Sequence, residues 1–125
     1  MLKYLYIAGG GALGTICRYW LVTCLEQKYT STFPFGTLTV NLFGSLMIGF
    51  LFGLMSANGI IEEKWRLLLF IGFLGGFTTF SSFSLENMKL LQNGFSSTAI
   101  VYIIASNLFG ILLAFLGYFI SLKFK

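Results

Sequence analysis

Histidine and aspartate are absent from this 125-residue chain, proline occurs once and cysteine twice. With neither histidine nor a C-x-x-C pair, no zinc-ligand set can be assembled, and histidine-based acid–base catalysis is excluded. Cys17 and Cys24 lie seven apart in one apolar stretch and read as small buried hydrophobes without a role of their own. Charge is equally sparse: Lys and Arg number 8 and glutamates 4, so charged residues are 10% of the chain. A soluble domain carries about 25%, because its surface must face water. Hydrophobic residues make up 57%, and mean hydropathy is +0.87, which places the chain in lipid. One spanning helix takes roughly 20 apolar residues, so this length holds at most about four spans and no separate soluble catalytic domain.

Apolar runs cover residues 2–24, 33–55, 65–85 and 97–122, separated by polar or turn-forming stretches at 25–32, 56–64 and 86–96. The expected fold is an all-α membrane protein, a single domain over 1–125 with four transmembrane helices and both ends on one side. The first run is too long for a secretory signal and lacks a small-x-small cleavage site. Lys3, Lys64, Arg66, Lys123 and Lys125 fall on the side of the ends, against Lys28, Lys89 and Arg18 on the other. This modest bias favours ends in the cytoplasm. The cations suit anionic lipid, and the clustered basic face that nucleic acid requires is missing.

Residues that hydrocarbon should reject carry the functional information. Asn41, Ser45, Gly49 and Gly53 recur every four residues, as do Tyr102, Ser106, Gly110 and Ala114. Small residues at that spacing suit close helix packing. Asn41 and Ser106 bring hydrogen-bonding groups to mid-membrane, where they must bond across helices or face a hydrated path. The third run contains Gly75, Gly76, Thr78, Thr79, Ser81, Ser82 and Ser84 at its centre. Glycine costs about 1 kcal/mol against alanine in a helix, and Ser and Thr compete for backbone partners, so this helix is expected to break. Freed carbonyls can hold a cation, and hydroxyl and amide donors can meet an anion; a kinked, well-packed helix is the alternative.

Phenylalanine is abundant, at 15 residues. Phe80 and Phe83 follow the expected break three apart, and aromatic ring edges carry weak positive potential that suits a small anion. Gly9, Gly11 and Gly14 fit part of a dinucleotide-binding pattern, but they sit in an apolar span with no strand before them, so that reading is discarded. Gly10 and Gly14 read instead as a packing face. Arg18 is the one fixed charge well inside a run; it either snorkels to the interface or draws anions into a vestibule.

The segments GGGALGTICRY at 9–19, FGTLTVNLFGSLMIG at 35–49 and GFLGGFTTFSSFS at 72–84 resemble the Fluc (CrcB) family of fluoride channels over almost the whole chain. The resemblance implies an antiparallel, dual-topology homodimer of four-helix subunits in the cell (inner or plasma) membrane. It would pass fluoride passively down its gradient and so lower fluoride toxicity. It also implies roles for particular residues. Asn41 resembles the pore-lining amide, and Phe80 and Phe83 the aromatic box whose edges contact fluoride. Ser81, Thr39 and Tyr102 are further pore-lining groups, and Arg18 resembles the vestibule arginine; Ser106 is counted with the pathway on the strength of its helix face alone. Gly75 and Thr78 resemble the residues whose backbone carbonyls bind a structural sodium ion, Na+, at the centre of the dimer.

Two other classes stay open. A small multidrug-resistance-type, proton-coupled transporter needs a titratable carboxylate within the membrane, whereas Glu26, Glu62, Glu63 and Glu86 are expected at loops or helix ends. A non-transporting membrane assembly subunit would account for the small-residue stripes but not for a broken third helix. No reading makes the chain an enzyme.

Overall fold

In the computed structural model of the chain, residues 1–57 and 62–124 are described. Helix α1 (Leu2–Lys28) runs without proline or glycine-proline interruption and ends on Lys28, a cation at the negative end of the helix dipole. Pro34, the chain's single proline, stands just ahead of α2 (Phe35–Ala57). Its missing N–H falls where a helix has no partner to offer, and its carbonyl accepts the Leu38 N–H at 3.2 Å to start the first turn.

The next helix, α3, spans residues 63–77: an opening turn Glu63–Trp65, a widened π-helical stretch Arg66–Leu74 and a closing turn Gly75–Phe77. Thr78 (φ −84°, ψ 157°) and Thr79 (φ −150°, ψ 117°) are extended. Helix α4 (Phe80–Gln92) then begins, its first turn capped by the Thr79 hydroxyl, which accepts the Ser82 N–H at 3.1 Å. Its far end closes on Gly94, at φ 81°, a left-handed conformation that glycine adopts at little cost. There the Gly94 and Phe95 N–H groups bond the Leu91 and Leu90 carbonyls at 3.2 and 2.9 Å. This tight reversal leads into α5 (Ser96–Ser121), followed by a short tail Leu122–Phe124.

Three described segments are long and apolar enough to cross a membrane: Phe35–Ser56, Glu63–Gln92 and Ser96–Phe124. Helix α1 has the length, at 27 residues, but Lys3, Arg18, Glu26 and Lys28 dilute its apolar character, and it falls outside that set. The third long element also extends beyond the apolar run read from the sequence. Glu86 and Lys89 belong to α4 rather than to a connection, because the buried stripe continues through Asn87 and Leu90 and the Glu86 carboxylate finds partners inside the protein. The expectation that every glutamate lies at a loop or helix end therefore fails for Glu86.

Packing is most extensive between α2 and α5 and between α1 and α3. Both pairs rely on glycine. A Cβ at Gly49 would stand 1.9 Å from the Ala114 carbonyl oxygen, and one at Gly14 would stand 2.1 Å from that of Phe73. The stripes thus let backbones touch. Large apolar side chains, among them Trp20, Ile111 and Phe115, point outward, the arrangement lipid favours.

Candidate functional site

The extended pair Thr78–Thr79 leaves backbone groups that a continuous helix would satisfy. Asn41, on α2, meets them. Its Oδ1 accepts the Thr79 N–H at 2.8 Å, and its Nδ2 donates to the Thr79 carbonyl at 3.0 Å. An asparagine amide carries two N–H donors, so one remains after this clamp is made. Ser45, one turn on, donates back to the Asn41 carbonyl at 2.8 Å.

The clamp has a second consequence. In an unbroken helix the Thr79 N–H would bond the Gly75 carbonyl, and the Ser82 N–H the Thr78 carbonyl. Here the first is taken by Asn41 and the second by the Thr79 hydroxyl. The Gly75 and Thr78 carbonyls thereby lose their helical donors, and both residues line a groove of about 380 Å³ shared with Asn41, Ser45, Thr79 and Phe80. Oxygen donors of this kind suit a hard cation such as sodium. Among the described residues there is no cluster of three or more His, Cys, Asp or Glu side chains to hold a metal.

Aromatic rings border the same region. Phe80 is 78% exposed beside the groove, and its ring centroid lies 5.6 Å from that of Phe83. Phe83 in turn meets Tyr102 of α5 at 5.0 Å, edge to face. Tyr102 is wholly buried, and its hydroxyl donates to Glu86 Oε2 at 2.7 Å. The other oxygen, Oε1, accepts from Thr37 at 2.6 Å. Glu86 thus ties α2, α4 and α5 together, which is how a carboxylate is accommodated inside a span.

Arg18 shares a cavity of about 270 Å³ with Thr37, Ser82 and Glu86, on the α1 side. Among the described residues it closes no ion pair there; the pairs run Lys3 to Glu63 and Lys64 to Glu62 at the other end of the molecule. The Ser106 hydroxyl is buried without a hydrogen-bond partner. Ser81 is exposed, its hydroxyl 3.3 Å from that of Thr79. Thr39 is also exposed, roughly half a turn round α2 from the face carrying Thr37 and Asn41.

Asn41, Gly75, Thr78 and Phe80 are therefore brought to one groove, Phe83 and Tyr102 to an adjoining aromatic cluster, and Arg18 to a separate cavity. Thr37 is the group sequence reasoning missed; Thr79 and Ser82 were expected only as part of the broken run, and Glu86 only as a charge at a helix end. One signal was present: Thr37 stands one turn before Asn41 and extends the four-residue stripe of α2.

Residues 5–118 match the family described as CrcB-like protein, Camphor Resistance (CrcB). Proteins named fluoride-specific ion channel FluC are similar over nearly the whole chain. Those of two Thermus thermophilus strains are 47% identical over 93% of this chain and 91% of the relative, and 46% identical over 94% of each. That of Methylobacillus flagellatus is 43% identical over 94% of this chain and 93% of its own. The span of the match, which takes in the clamp, the extended pair and the aromatic cluster together, places this chain in the CrcB family.

Proposed function

We propose that the chain is a fluoride-specific ion channel that passes fluoride down its gradient across the cell membrane, the inner or plasma membrane, and so keeps cytoplasmic fluoride low. Four helical spans, α1 included, would carry the third broken at membrane depth. The observation that carries the reading is the Asn41 clamp on Thr79. It holds a non-helical backbone open beside a groove lined by neutral donors, inside a segment long enough to cross a membrane.

Fluoride is small and strongly hydrated, so removing its water costs tens of kcal/mol unless other donors replace it. A single fixed cation in the path would trap the ion, whereas several weak contacts allow both binding and release. The free Asn41 N–H, the hydroxyls of Ser81 and Ser106, and the ring edges of Phe80 and Phe83 are contacts of that kind, whereas Thr39, off the Asn41 face, would reach an ion only from another side of α2. The Tyr102 hydroxyl, engaged by Glu86, fixes the wall of the path. Arg18 would raise the anion concentration at the mouth and offset the Glu86 charge across their shared cavity.

The functional unit is an antiparallel, dual-topology homodimer. Exposure of Phe80 and Gly75 beside the groove supports a second copy there, since an aromatic ring and a polar break would otherwise face lipid. The Gly75 and Thr78 carbonyls, freed of their helical donors, fit a sodium ion shared with the symmetry mate. Such an ion supplies positive potential near the path without a buried basic side chain. No bond is made or broken in this process, so the protein acts as a channel rather than an enzyme.

Reconstitution into liposomes with fluoride and chloride electrodes tests the proposal. Rapid fluoride efflux with negligible chloride loss is expected. Proton-coupled export of organic cations, for which Glu86 would be the carboxylate, or no flux at all, would overturn it.

A further inference from the structure

We infer that Phe33, in the connection between α1 and α2, is a positioning residue for the Phe83 ring and acts through Tyr102; the inference rests on the channel reading above. The connection is pinned at this point. The Phe33 N–H bonds the Ser31 hydroxyl at 3.1 Å, and its carbonyl accepts the Phe35 N–H at 2.9 Å. Pro34 follows directly and disfavours helical backbone at Phe33, so the direction of its side chain is set.

From there rings run in an unbroken series towards the groove. Phe35 lies 4.7 Å from Phe33, and Phe33 meets Tyr102 at 5.5 Å with planes 70° apart. Tyr102 meets Phe83 at 5.0 Å and 62°, and Phe83 meets Phe80 at 5.6 Å. Phe33 and Phe83 are both packed on the buried cluster of Leu90, Ala99 and Tyr102. Edge-to-face pairs depend on ring orientation and not only on bulk.

Tyr102 is held at two points, one in the connection and one in the first turn of α2. Phe33 contacts its ring, and Thr37, four residues on, bonds the carboxylate that receives its hydroxyl. Loss of the Phe33 ring leaves the hydroxyl anchored but frees the ring to pivot about it. Phe83, which rests on that ring, then loses its fixed orientation beside Phe80.

The test compares Phe33→Leu, which keeps bulk without a ring, with Phe33→Tyr, which keeps the ring, both in liposomes beside the parent protein. The leucine variant is expected to lower initial fluoride efflux by about tenfold and the tyrosine variant by less than about twofold, the scale of one aromatic contact. Leucine and tyrosine variants of equal efflux would overturn the inference, since bulk alone would then suffice. Should Phe33→Leu fail to assemble, Phe33→Met poses the same question with a more adaptable side chain. A second measurement does not depend on conduction: the fluorine NMR resonance of 4-fluorophenylalanine at position 83 should shift in Phe33→Leu and hold in Phe33→Tyr. An unmoved resonance contradicts the inference, whereas a parent protein without fluoride flux counts against the channel reading itself.

Discussion

The two halves of α2 solve opposite problems. Its first half meets neighbouring elements through polar side chains: Thr37 bonds Glu86, and Asn41 clamps Thr79. Its second half meets α5 by having almost no side chain, with Gly49 against the Ala114 carbonyl and Gly53 beside Ser121. Backbone contact gives a rigid, dry seam that needs no hydrogen bonds between helices. The polar half holds open a segment that would otherwise close into helix, because the N–H and carbonyl of Thr79 both find their partner in Asn41. One helix therefore serves as scaffold at one end and as the support of a site at the other.

If that division is right, substitutions in the glycine half should destroy assembly, and those in the polar half should impair conduction first. Gly49→Val has the largest expected effect. Its Cβ alone would overlap the Ala114 carbonyl oxygen, so a destabilisation of about 3 kcal/mol or more is expected. Size-exclusion chromatography should find little monodisperse protein, and a well-behaved variant would refute the seam. Phe80→Ile comes next: efflux should fall to the background leak while assembly and melting temperature stay as in the parent. Flux equal to the parent's would remove the aromatic-edge argument. Asn41→Ala strips both partners from the Thr79 backbone, which should cost about 2–4 kcal/mol in thermal or chemical unfolding and lower efflux as well. Full stability would mean the clamp is incidental. Arg18→Gln is the mildest, with efflux lowered about threefold at low ionic strength and less at high salt, as screening predicts. A salt-independent loss would point to packing instead.

The sequence made the two stripes and the unusual third run legible because both depend on local residue type. Glycine and asparagine every four residues define a helix face, and paired glycines followed by threonines disfavour continuous helix. What it hid were pairings between distant residues. Thr37 and Glu86 are 49 residues apart, and nothing local tells a carboxylate that a hydroxyl awaits it. For the same reason Glu86 and Lys89 read as a connection: charges usually leave the membrane, and this one stays in a helix because Thr37 and Tyr102 receive it. Thr39 enters through the resemblance, whereas helical spacing sets Thr37, not Thr39, on the Asn41 face. Phe33 was overlooked because a ring in a connection has no periodicity to reveal it.

The measurement that bears most directly on the central claim is the reversal potential of the reconstituted protein in a planar bilayer, with fluoride on one side and chloride on the other. A pathway of neutral donors and ring edges that admits only fluoride predicts a potential that follows the fluoride gradient and ignores chloride. A potential near zero, or one that moves with chloride or with pH instead, would contradict the account.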